Sequence, residues 1–247
     1  MTFDAHPRSS LIVALDFDSL SSAVKFAKQV ADLVGLFKIG SQLFTAAGPA
    51  GVKEIAALGP GIFLDLKFHD IPNTVAGAVL SAAAMNGVQL VNVHALGGSA
   101  MLKAAVQAIS AGVPLGLDRP RLLAVTILTS MDQKTMREVG ITGAPKSSVA
   151  KLAKLAKTCG VDGVVASVQE AKAVRKVCGR DFLIVTPGVR PKVKGANGKR
   201  DDQSRTATPT EAIRAGADYL VVGRPILAAE DPRAAAQSVV DEIAAAK

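Results

Sequence analysis

The 247-residue sequence predicts a closed (β/α)8 barrel on three observations: eight short apolar runs, helical periodicity between them, and no linker that would divide the chain. The runs lie at 11–15, 36–39, 62–66, 90–93, 122–127, 163–166, 182–185 and 219–222. Each has the length of a strand, and none alternates with polar residues. Continuous apolarity means that both faces are buried, as in a parallel sheet covered by helices. Helical periodicity marks 21–33, 74–85, 99–110, 147–158, 169–177 and 210–215, and an apolar stripe marks a last helix over 234–245. Gly87, Gly112, Gly160, Gly179 and Gly216 stand where helix C-caps are needed. Ile71-Pro72 fixes the chain as it enters the 74–85 helix, and Ser99 is placed to cap the 99–110 helix. An open nucleotide-binding sheet fits less well, because no GxGxxG follows the first run and residues 140–147 lack the spacing of a P-loop. Barrels of about this length commonly form one unit, so a single catalytic domain over 1–247 is expected.

Composition narrows the function. With 49% hydrophobic and 20% charged residues the chain buries a core and is not disordered. Cys159 and Cys178 form neither a CxxC pair nor a zinc spacing, so both are read as reduced thiols. The opening MTFDAHPRSS has no signal-peptide character and no run of ~18 apolar residues follows, which points to a cytoplasmic protein without membrane association. The formal charge is +8 and uneven: residues 1–123 hold nine basic and eight acidic side chains, leaving 20 and 13 of the total 29 and 21 for residues 124–247. With one Tyr, no Trp and no nucleic-acid reader motif, nucleic-acid binding is not expected. A basic field without those features suits a small anionic substrate such as a phosphate ester.

Catalytic residues of such barrels come from the C-terminal ends of the strands. Those ends carry Asp16, Lys38, then Asp65, Lys67 and Asp70, then His94, Thr126, Thr129 and Ser130, Pro187, Gly188 and Arg190, and Gly223 with Arg224. Asp65 and Lys67, two apart on one strand, face the same way into the mouth. A buried ion pair adds little net stability, so a cluster of alternating charge formed with Lys38 and Asp70 is read as a site. His69 and His94 lack HxH or HExxH spacing and are read as packed or hydrogen-bonded histidines, so no metal is expected. The polar, charged segment 188–208 is long for a βα connection and reads as a lid or ligand clamp.

The segment DLKFHDIPNT at 65–74 resembles the signature of the orotidine 5'-phosphate decarboxylase family. The resemblance extends through ALDFD around Asp16, FKIG around Lys38, AVTILTSM at 124–131, VTPGVRP at 185–191, Asp202-Gln203 and VVGRPI at 221–226. It implies a cofactor-independent decarboxylation of orotidine 5'-phosphate to UMP, the last step of de novo pyrimidine nucleotide synthesis. Lys38, Asp65, Lys67 and Asp70 match the family's alternating array, with Lys67 as the proton donor to C6. Asp16 and Lys38 match positions on the ribose hydroxyls, and Thr129 with Ser130 the pyrimidine-recognition segment. Gln203, Gly223 and Arg224, joined by Arg190, match the phosphate grip. Asp70 and Thr74 match residues given to the partner's active site, so a homodimer is implied.

The residue types suit that reaction. Loss of CO2 from C6 leaves a carbanion in the ring plane, which a fixed ammonium can stabilise and then protonate. The nearest alternative is a magnesium-dependent keto-sugar-phosphate decarboxylase or aldolase of the same superfamily. Such enzymes share only Asp65, Lys67 and Asp70 with this chain and place an acidic metal ligand where Lys38 stands. A catalytically dead barrel would have been free to lose Lys38, Asp65, Lys67, Asp70 and Arg224.

Overall fold

The computed structural model describes residues 6–114, 116–191 and 207–247. In chain order the elements are β1 (Leu11–Ala14), α1 (Leu20–Val30), β2 (Leu36–Gly40), α2 (Ser41–Ala56), β3 (Gly61–Phe68), α3 (Pro72–Ala83), β4 (Val88–His94), α4 (Gly98–Ala111) and β5 (Arg121–Val125). Then follow α5 (Gln133–Glu138), α6 (Pro145–Thr158), β6 (Gly163–Val165), α7 (Val168–Cys178), β7 (Leu183–Thr186), α8 (Pro209–Arg214), β8 (Tyr219–Val222), α9 (Arg224–Leu227) and α10 (Pro232–Ala244). All eight strands are parallel, each pairs with its neighbour in sequence, and β1 closes on β8 through Ile12↔Val221.

The continuous apolarity of the strands is explained by two separate apolar layers. Ile12, Ala14, Leu36, Phe63, Leu90, Leu123, Leu183, Val185 and Val221 pack together inside the barrel. Their strand neighbours Leu11, Val13, Phe37, Ile62, Leu64, Val91, Leu122 and Ile184 pack outward with the helices. Each fully buried large side chain of either layer contributes roughly 1.5–3 kcal/mol. Toward the C-terminal end the inner layer changes character, because Lys38, Asp65 and Asn92 follow Leu36, Phe63 and Leu90 at a spacing of two.

Local signals set the helix starts. Pro72 opens α3, Asp231 accepts from the Ala234 N–H at 3.0 Å to open α10, and Thr208 with Glu211 forms a capping box on α8. Two expectations are corrected. Ser99 does not cap α4, since the helix begins at Gly98 and Gly97 holds the cap position without a side-chain bond. Gly112 holds the C-cap of α4 as expected, with φ −117°. The fifth strand stops at Val125, and Thr126 beyond it is turned to the Val165 carbonyl by both its N–H and its hydroxyl. Cys159 and Cys178 are buried free thiols, and no helix among the described residues is long and apolar enough to cross a membrane.

Candidate active site

A cavity of about 500 Å³ opens at the C-terminal end of the barrel. Asp16, Lys38, Asp65, Lys67, Thr129, Arg190, Gly223 and Arg224 all line it, so strands 1, 2, 3, 5, 7 and 8 each deliver the residue the sequence points to. Among the described residues of this lining, Asp16 and Asp65 supply the carboxylates against the cations of Lys38, Lys67, Arg190 and Arg224. The excess of positive charge favours an anionic ligand.

Four of these groups form one chain of contacts. Lys38 Nζ donates to Asp16 Oδ1 at 3.1 Å and stands 3.5 Å from Asp65 Oδ2, while Lys67 Nζ donates to Asp65 Oδ1 at 2.7 Å. Asp65 is the buried hinge of the chain, 8% exposed. Burial pushes its carboxyl up, but the charges of Lys38 and Lys67 and the hydrogen bonds from Lys67 and Asn92 outweigh that and hold it below the usual carboxylate range. Lys38 fits because its strand ends in Gly40: a Cβ there would lie 2.9 Å from the Lys38 ammonium.

The backbone at Lys67 departs from a strand. Leu64 pairs with Val91 and Phe68 with Val93, so Asp65, Leu66 and Lys67 stand opposite the single residue Asn92. This bulge re-aims the lysine. Lys67 takes φ 51°, the one positive φ outside glycine among the described residues, at a cost of roughly 1–3 kcal/mol. Asn92, fully buried, secures it. Its Oδ1 accepts from the Lys67 N–H at 2.7 Å and its Nδ2 donates to Asp65 Oδ1 at 2.6 Å. Sequence reasoning passed over Asn92, although a lone amide within the apolar run Leu90–Val93 was the available signal. It passed over Gly40 as well, which no side-chain chemistry marks.

Asp70 and Thr74 do not line this cavity; Asp70 is exposed, its Oδ1 accepting from the Ile71 N–H at 2.6 Å, and Thr74 lies on the first turn of α3. Thr126 and Ser130 are also outside the lining. Gln203 and most of the 188–208 segment lie outside the described residues. At the segment's two ends Arg190 N–H donates to the Ala207 carbonyl at 2.9 Å, beside the parallel bridge Val189↔Ala207. His69 and His94 stack, with ring centroids 5.3 Å apart, in keeping with packed histidines. Burial, then the neighbouring charges of His69 and Lys67, push His94 below the usual imidazole range. Among the described residues no group of three or more His, Cys, Asp or Glu could hold a metal ion.

Comparison with known proteins places this arrangement. The family model described as "Orotidine 5'-phosphate decarboxylase / HUMPS family" matches residues 9–239. A protein of Geotalea daltonii named orotidine 5'-phosphate decarboxylase is 53% identical over 238 residues, 96% of this chain and 97% of the relative. One of the same name from Geobacter sp. (strain M21) is 52% identical over 235 residues, covering 95% and 96%. The crystal structure of orotidine 5'-phosphate decarboxylase from Lactobacillus acidophilus superposes with a TM-score of 0.83 at 41% identity, covering 94% of this chain and 98% of that one. With the family model spanning nearly the whole barrel and relatives of more than half identity along it, the chain belongs to the orotidine 5'-phosphate decarboxylase / HUMPS family.

Proposed function

We propose that the protein decarboxylates orotidine 5'-phosphate to UMP with its own side chains and no cofactor. The observation that carries this reading is the contact chain Asp16–Lys38–Asp65–Lys67 at the floor of a cavity with net positive charge. Departure of CO2 leaves an electron pair on C6 in the plane of the ring. The Lys67 ammonium lowers the energy of that pair and then passes it a proton, leaving an amine that solvent reprotonates. Asp65 holds the ammonium through the 2.7 Å contact of its Oδ1. Asp16 and Lys38 are assigned to the ribose hydroxyls, Thr129 to the pyrimidine edge, and Arg190, Gln203, Gly223 and Arg224 to the phosphate. Gripping the phosphate, remote from C6, supplies binding energy that holds the reacting carbon at Lys67.

Asp70 and Thr74 are assigned to the active site of a second copy of the chain, in a cytoplasmic homodimer. Their position outside their own cavity supports this, as do the exposed apolar side chains Ile71 and Leu96 beyond the ends of β3 and β4. The magnesium-dependent sugar-phosphate alternative gains nothing from the relatives, which are named decarboxylases of orotidine 5'-phosphate. The test is the loss of orotate ultraviolet absorbance when the purified protein meets orotidine 5'-phosphate in EDTA. Rapid decay is expected. A folded protein that leaves the absorbance unchanged would overturn the reading.

A further inference from the structure

We propose that Asn92 is a positioning residue for the decarboxylation, holding the Lys67 backbone and the Asp65 carboxylate in one fixed relation. The inference rests on the decarboxylase reading of the site. Asn92 does not line the cavity and so acts only through the groups it touches. It is fully buried, and both ends of its amide are used: the oxygen accepts from the Lys67 N–H and the nitrogen donates to Asp65 Oδ1. The same Asp65 oxygen receives Lys67 Nζ at 2.7 Å, so the lysine is held twice, by its main chain and by its ammonium, around one amide. Without Asn92 the Lys67 N–H, inside a bulge without ladder pairing, would lose its partner and the φ of 51° its support. An ammonium displaced by even about 1 Å from the reacting carbon loses on the order of a hundredfold in rate.

An amide has one donor and one acceptor end, and only a neutral group of that kind serves both partners. An ionised carboxyl in its place accepts from Lys67 but repels Asp65, whereas a protonated carboxyl offers the same O–H donor and carbonyl acceptor as the amide. The charged and titratable groups around this position are Asp65 and Lys67 on β3, Lys38 on β2 behind Asp65, and His94 on β4 with His69 stacked on it. On β5 its register partner is the apolar Leu123. Asn92→Asp is therefore expected to lose about a hundredfold in kcat at pH 8, with KM within about threefold of the parent. As the pH is lowered toward 5, its kcat should recover relative to the parent's. Asn92→Ser, whose single hydroxyl on a shorter side chain replaces the two separate ends of the amide, should lose about tenfold in kcat with KM again retained.

Parental kcat in both variants, a change confined to KM, or a variant-to-parent ratio independent of pH would overturn the inference. Hydrogen exchange in the unaltered protein tests it without a substitution: the Lys67 amide should be protected like its strand neighbours, and exchange at the rate of an open loop would contradict the bond on which the inference depends. A parent without turnover would remove the decarboxylase reading itself. An active parent with an indifferent Asn92→Asp would remove only the role of Asn92.

Discussion

The barrel opens into a cavity at each end, and the larger one is at the end away from the proposed chemistry. The N-terminal cavity measures about 670 Å³ and the C-terminal one about 500 Å³, and both are lined by charged side chains. At the N-terminal end Arg119 and Arg121 converge on Asp162, whose second oxygen also accepts the Leu122 N–H at 2.7 Å. Arg8 donates to the Asp32 carbonyl, and the Asp32 carboxylate is held in two bonds by Arg233. These bonds tie successive connections together around the closed sheet. At the C-terminal end Asp16, Lys38, Asp65 and Lys67 touch in one chain of alternating charge, and the backbone of Lys67 is strained. Volume and charge therefore do not separate a site from a scaffold. A chain of alternating charges in mutual contact, held in a strained, buried frame, does.

The sharpest test of that distinction is Asp70, which follows β3 at the C-terminal end yet lines neither of these two cavities. Asp70→Ala is expected to lower kcat by about 10³-fold. Mixed with Lys67→Ala and allowed to exchange subunits, it should regain about a quarter of parental activity, because half the dimers are mixed and each mixed dimer holds one complete site. No regain after verified exchange would count against shared sites. Next in size, Arg224→Ala should cost about a hundredfold in kcat/KM, mostly through KM, as expected for a charge-assisted grip on the phosphate. Gly40→Ala places a Cβ 2.9 Å from the Lys38 ammonium and should cost about tenfold in kcat without unfolding the protein; parental kinetics would show that Lys38 has room to move.

The smallest effect is on stability. Asp65 and His94 are both held below their ordinary pKa values, so at low pH the unfolded chain binds more protons than the folded one. Stability should decline as the pH falls below about 6.5, the free imidazole value, and decline again below about 3.9 as Asp65 is protonated. Urea unfolding of His94→Gln between pH 8 and 5 should show a flatter profile than the parent, and identical profiles would remove His94 from the account.

Much of this was legible in the sequence because the eight strands face two apolar layers and so read as unbroken apolar runs. Asp16, Lys38, Asp65, Lys67 and Arg224 were legible because the active-site residues of a barrel come from the C-terminal ends of its strands, where these charges stand. Helix α2 was not, since Gly48-Pro49 interrupts its period, and Gly48 breaks it with φ 60° and ψ −162°. The short α5 has too few turns to show a period. The bulge at Lys67 was hidden because Asp65-Leu66-Lys67 reads as ordinary strand alternation, and only the pairing with β4 reveals that one residue faces three. Asn92 was hidden with it. Its function depends on a contact across two strands, which no local pattern encodes.

The central claim is that chemistry resides at the charged C-terminal mouth and scaffold at the larger N-terminal one. The most direct test compares decarboxylation rates of the parent, Lys67→Ala and Arg121→Ala, all in EDTA. Lys67→Ala should lose at least about 10⁴-fold in kcat with its fold intact, while Arg121→Ala keeps kcat within about twofold and unfolds at a lower temperature. Substantial turnover by Lys67→Ala, or loss of turnover by a folded Arg121→Ala, would contradict it.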